Sequence, residues 1–220
     1  MKKVAVILSG CGYLDGAEIR ESVLTLLALD AQGIKYDIFA PNIDQFHVVN
    51  HKTGEISEAE SRNVLDEAGR IARGNISALD ELQPDLFDGL VIPGGFGVAK
   101  NLSTFAFKGS AGEVLSEIKP ILKKFNSSKK PIGAICISPA LLALTFGDIN
   151  PTLTIGSDVG TAEEIEKTGS VHQCCDVNDC VVDTKNLIIT TPAYMEGSAN
   201  LNDVYQGITQ LVKAMSAIAK

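Results

Sequence analysis

The stretch "KPIGAICISPA", residues 130–140, decides how the chain reads. A short apolar run from Pro131 to Ile135 meets Cys136 and passes almost at once into a helix expected from about Pro139. A strand that turns sharply into a helix is the setting of a nucleophile elbow, which needs small residues two positions either side of the nucleophile. Ala134 and Ser138 stand there. Ser138 is expected to cap the helix, and Pro139 suits its first turn because its missing N–H would be unpaired anyway. A thiol at a helix N-terminus feels the positive end of the dipole, which favours thiolate. A free thiol with a pKa of about 8.5 is only a few per cent ionised at neutral pH, and lowering it by about two to three units makes thiolate dominant. The plainer reading of Cys136 is a small apolar filler in the core.

Outward from this elbow, short apolar runs alternate with helical segments. "VAVIL" (4–8) ends in "SGCG", as a buried strand ends in a glycine-rich turn. Residues 18–32 place Ile19, Ser22, Val23, Leu26, Leu27 and Asp30 at helical spacing, with Gly33 as C-cap. "YDIFAP" (36–41) reads as a second strand and "LFDGLVIPGG" (86–95) contains a third, with a helix near 112–126 after it. The stretch 180–193 reads as a hairpin or two adjacent strands, and 201–218 as the last helix. This alternation predicts an α/β fold: a mostly parallel sheet with helices on both faces. Ligands collect outside the carboxyl ends of such strands, where "SGCG", "PGGFG" and Cys136 all lie. Residues 42–84 are the least regular part and read as an insertion in a single domain spanning 1–220, with one charged helix between Arg62 and Arg73.

Composition narrows the function. The chain is 45% hydrophobic and 21% charged, enough to build a core, and its net charge of −8 argues against nucleic acid and anionic membrane surfaces. No stretch approaches a membrane span, and the apolar run near the N-terminus is too short for a signal-peptide core. Five cysteines without a regular framework fit a reducing cytosol, so a cytoplasmic location is expected.

"AVILSGCGYLDGAEIRE", "VNHKTGE", "RNVLDEAGRIARG", "VIPGGFGVAKNLS", "GAICISPALL", "LTIGSD" and "TTPAYM" together resemble the ElbB-type branch of the ThiJ/PfpI (class I glutamine amidotransferase-like) superfamily, over almost the whole chain. The resemblance implies a flavodoxin-like fold, a homodimer, and an elbow cysteine, Cys136, paired with a glutamate, Glu18 of "DGAE". It also implies that backbone N–H groups at Gly95 and Ile137 form an oxyanion site. The activity implied is that of a glyoxalase III-like lyase of the D-lactate dehydratase type. It would convert a small dicarbonyl, methylglyoxal or glyoxal, to a 2-hydroxy acid without metal, glutathione or other cofactor. On the residues alone, Glu18 is equally an ordinary acidic residue in a first helical turn. Many relatives place a histidine just after the nucleophile, but Ile137 follows Cys136, so a Cys–His–Glu triad lacks its base and amide hydrolysis is disfavoured. Two rival readings involve no turnover: a redox-sensing or protein-protective thiol, and an accessory protein of isoprenoid biosynthesis.

Other features weigh less. "PGGFGVAKN" lacks the spacing of a dinucleotide loop and is better read as a turn aiming N–H groups at the elbow. His172, Cys174, Cys175 and Cys180 carry zinc-type donors, but adjacent cysteines rarely share one ion, and no metal is expected. Cys11, Gly12, His51 and Asn101 are candidates to line the cleft.

Overall fold

A computed structural model describes residues 1–219. β1 (Lys3–Ile7) is followed by α1 (Ile19–Ala31) and by β2 (Lys35–Ala40), which lies parallel beside β1. α2 (Val64–Ile71) and the short β3 (Ser77–Ala78) extend that edge. β4 (Gly89–Ile92) pairs with the other side of β1 and leads into the short helices α3 (Phe96–Lys100) and α4 (Phe105–Lys108). α5 (Ile118–Ser127), β5 (Ile132–Ile135) and α6 (Ser138–Phe146) follow. β6 (Thr152–Leu153) and β7 (Val171–His172) form a small separate sheet on either side of α7 (Val159–Lys167) in sequence. The antiparallel pair β8 (Val181–Asp183) and β9 (Ile188–Thr191) precedes α8 (Leu201–Ile218).

The main sheet runs β3-β2-β1-β4-β5-β9-β8, and every pairing in it but the last is parallel. Period-two alternation divides its side chains between two cores. Ala5, Ile7, Leu90, Ile92, Ile132 and Ala134 face the layer that holds α5 and α6, while Val4, Val6, Val91 and Ile135 face α1 and α8. This is the flavodoxin-like α/β architecture, with helices on both sides of a mostly parallel sheet. Burial of each large aliphatic side chain contributes about 1.5–3 kcal/mol, so the two cores dominate stability.

Two local expectations are corrected. On α1, Ile19, Val23 and Leu27 face outward, each close to half exposed, and the buried stripe is instead Glu21, Ser22, Thr25, Ala28 and Leu29. Small residues on that stripe let the helix lie close to the sheet and α8. The helix expected at 112–126 begins only at Ile118, because Val114 is taken up in a bridge to Ser103. Within 42–84, bridges Asp44–Asn63 and Val49–Ile56 order the loop ahead of α2. Among the described residues no helix is long and apolar enough to cross a membrane.

Candidate active site

β5 delivers Cys136 to its carboxyl end with φ of 62°, in the left-handed region that non-glycine residues adopt at a cost. The strain is held by the surrounding ladder: the Cys136 N–H donates to Thr191 O at 3.0 Å. Ile137, not Ser138, takes the N-cap position of α6, with no side-chain cap. Ser138 is buried and its hydroxyl donates to Pro93 O at 2.8 Å, which stitches the helix start to the end of β4. Pro139 sits in the first turn, where no N–H is needed.

The side chain that meets Cys136 is Glu21. It is completely buried and hydrogen-bonded to the thiol. One carboxyl oxygen accepts the Gly94 N–H at 3.0 Å and the other the Tyr194 N–H at 3.1 Å. A single carboxyl therefore ties α1 to the turns after β4, β5 and β9. Gly94 makes the approach possible, since a Cβ there would come within 2.4 Å of the Cys136 Cβ and 2.6 Å of Glu21 Oε2. Glu18 stands one turn earlier as the N-cap of α1, its carboxylate accepting the Glu21 N–H at 2.6 Å. It lines the same cleft as Cys136, but the hydrogen bond to sulfur belongs to Glu21.

Glu21 was missed because the expected helix face was misassigned. A signal was present: Glu21, Thr25 and Ala28 share the helical spacing of one stripe, so an acidic residue lay on the face that packs inward. At an N-cap, by contrast, a side chain folds back onto its own helix end.

Burial pushes the Glu21 carboxyl up to about 8, helped by the charge of Glu18 and opposed by the two backbone donors and the thiol. Burial and the Glu21 charge also push the Cys136 thiol well up, while N–H groups of Gly95 and Ile137, which donate to the sulfur, pull it down. The expectation that the helix end favours a free thiolate is thus overturned: desolvation outweighs it. What the geometry provides is a thiol and a carboxyl that exchange one proton across a hydrogen bond. The carboxylate of Glu21 can take the thiol proton as sulfur attacks, and return it afterwards.

Cys136 is 8% exposed and opens onto a cleft of about 670 Å³, shared with Glu18, Gly95 and Ile137. Gly95 adopts φ of 100° there, with Glu18 N and Gly16 O so close that no side chain would fit. The other candidates lie outside the lining. Cys11 is half-buried near Glu67 of α2, with its thiol pushed up by burial and that charge. The Gly12 N–H donates to Ala17 O, closing the loop. Asn101 is buried and donates to Ser9 O and Asp15 O, bracing that loop from α3. His51 accepts the Leu14 N–H and packs edge-on against Tyr13, so it reaches the cleft only through that ring. Gly12, His51 and Asn101 support the loop after β1, in which Cys11 sits.

Cys174, Cys175 and Cys180 border a second, polar hollow with Asp176, Asp179, Glu196 and Asp203. Burial and neighbouring aspartates push Cys175 up to about 12 and Cys180 up to about 11. His172 accepts the Ile155 N–H instead of joining them. Among the described residues no group of three or more His, Cys, Asp or Glu could hold a metal ion.

Comparison with known proteins agrees with this architecture. The mitochondrial ES1 protein homolog of Rattus norvegicus is 43% identical over 220 residues, covering 96% of this chain and 82% of the rat protein. The mitochondrial glutamine amidotransferase-like class 1 domain-containing protein 3 of Homo sapiens is also 43% identical, covering 96% of this chain and 81% of its own length. A crystal structure from Ehrlichia chaffeensis, of an isoprenoid biosynthesis protein with an amidotransferase-like domain, superposes with a TM-score of 0.92 at 42% identity, with both chains covered completely. The DJ-1/PfpI family model matches residues 2–193, and the chain belongs to the DJ-1/PfpI family.

Proposed function

We propose that the protein is a cofactor-independent glyoxalase that converts a 2-oxoaldehyde to a 2-hydroxy acid through Cys136. The observation that carries this reading is the buried hydrogen bond between the Cys136 thiol and Glu21, at the floor of an open cleft. The sulfur attacks the aldehyde carbon, and the proton held between sulfur and Glu21 passes to the new alkoxide, giving a hemithioacetal and leaving Glu21 as carboxylate. Glu21 then takes the proton from the former aldehyde carbon and delivers it to the neighbouring carbon, while the hemithioacetal O–H proton passes to the ketone oxygen, so that the ketone becomes an alcohol and the first carbon a carbonyl. The product bound to sulfur is a thioester, and water releases the hydroxy acid and restores the thiol. The first carbon is oxidised, the second reduced, and one water is consumed. The Gly95 and Ile137 N–H groups, which face the sulfur, are the donors nearest to an oxyanion formed on the carbon it attacks.

Glu18 carries less of this chemistry in our reading than the resemblance implies. Its charge raises Glu21, and its carboxylate is engaged as a helix cap. The test is lactate formation from methylglyoxal without glutathione. Cys136→Ser is expected to make none above background, and lactate at the parent rate from that variant would refute the proposal. Oxidation of Cys136 to sulfinic acid under mild peroxide, with no lactate from the parent, would replace it with a redox-sensing role.

A further inference from the structure

The cleft is far larger than the reaction requires. A volume of about 670 Å³ lies in the range that encloses drug-sized ligands, whereas methylglyoxal is a three-carbon molecule. Its wall is aromatic: Tyr13, Phe96, Phe105, Phe107 and Tyr194 line it, with Met195 beside them. Three of these rings are far from buried, Tyr13 at 49% and Phe96 and Phe107 at 46% exposure, although large apolar side chains normally lie inside. Exposed aromatic rings grouped around a nucleophile mark a surface that a ligand covers.

Charge narrows the class of that ligand. The lining carries Glu18, Asp158 and Glu164 against one cation, Lys108, whose ammonium lies 3.6 Å from Glu113. Asp158 is held as a carboxylate by the Thr161 N–H, and Glu164 by Lys167 and the Ser110 N–H. Among the described lining residues an anionic tail would meet three carboxylates against one cation already paired, while Arg20 and Lys100 sit at the edge, spread over the Tyr194 and Phe96 rings.

Resting on the glyoxalase reading, we infer that the physiological substrate is a 2-oxoaldehyde bearing an uncharged apolar tail, bound with the tail along the Phe96–Phe107 wall and the dicarbonyl at Cys136. Carboxylated and phosphorylated oxoaldehydes are poor substrates.

Three compounds with the same reactive end separate tail recognition from intrinsic reactivity: methylglyoxal, 2-oxooctanal, and 7,8-dioxooctanoate, which has the same carbon chain as 2-oxooctanal but ends in a carboxylate. The expected kcat/KM for 2-oxooctanal exceeds that for methylglyoxal by at least about tenfold, because even one methylene in an apolar pocket is worth that much. The carboxylate compound is expected to fall at least about tenfold below 2-oxooctanal. Phe107→Ala, a change at an exposed position, is expected to shrink the preference for 2-oxooctanal over methylglyoxal. Equal kcat/KM for 2-oxooctanal and methylglyoxal, or a preference untouched by Phe107→Ala, would overturn the tail assignment while leaving the glyoxalase reading in place. Equal turnover of the carboxylate compound would overturn the charge assignment. Turnover of none of the three would remove the glyoxalase reading itself.

Discussion

The protein carries cysteines in two hollows, and they differ in what surrounds the sulfur. At Cys174, Cys175 and Cys180 the neighbours are aspartates, and the thiols of Cys175 and Cys180 are pushed up to about 12 and about 11. At Cys136 burial pushes the thiol up as well, but two backbone N–H groups face the sulfur and a carboxyl of pKa about 8 touches it. The strained φ of 62° aims it at the cleft. A reactive cysteine here is made less by a low thiol pKa than by a base within reach and donors for the charge that develops. Thiols beside carboxylates without those donors are expected to react more slowly.

The largest expected effect breaks the comparison at its centre. Cys136→Ser should lower turnover of a 2-oxoaldehyde by at least about a thousandfold, whereas replacing Cys174, Cys175 and Cys180 together by serine should leave kcat within about twofold. Steady-state kinetics on both variants checks this.

Alkylation sharpens it. Labelling of Cys136 by iodoacetamide, followed by peptide mass spectrometry, should rise through pH of about 8, where Glu21 becomes a base. Cys175 and Cys180 should label only at clearly higher pH, since at pH 8 a thiol of pKa about 12 is ionised to about one part in 10⁴.

A third test concerns stability. Glu21 has a folded-state pKa raised from 4.5 to about 8, so the native state holds its proton more tightly than the unfolded chain. Its stabilising contribution is fully present below about pH 4.5 and is lost as pH rises to about 8, on the order of a few kcal/mol in all. Glu21→Gln should flatten the fall in Tm over that window, which thermal melts in a pH series will show. Activity should rise over the range in which stability falls, the trade expected where a buried carboxyl acts as the proposed base.

The sequence made the fold legible where the signals were strong. The buried run that became β1, the hairpin β8–β9, and α8 at Leu201–Ile218 all follow from periodicity and turn chemistry. The two-residue strands β6 and β7 were not legible, because so short a pairing is set by tertiary packing. At the site, Cys136 could be placed because an elbow is a local pattern, whereas Gly95 and Ile137 came with the family resemblance, and the structure gathers them with Glu18 around one cleft. Glu21 could not be placed by motif, since "EIRE" offers two carboxyls three residues apart and only the position of the helix start decides which one turns inward. Cys11, Gly12 and Asn101 were expected at the cleft from their place next to the strand ends and His51 from the reach of the insertion, yet Gly12, His51 and Asn101 brace the loop beside it and Cys11 sits in that loop. The far wall from Phe105 to Lys108, and Glu164, comes from segments with no local motif, whereas Asp158 ends "LTIGSD".

The most direct test of the Cys136–Glu21 partnership is the pH profile of kcat/KM for Glu21→Gln beside Glu18→Gln. The expected loss is about 10²–10⁴-fold for Glu21→Gln, with the rise through pH of about 8 abolished, and less than about tenfold for Glu18→Gln with that rise retained. The reverse order, with the large loss in Glu18→Gln and Glu21→Gln nearly as active as the parent, would contradict that partnership.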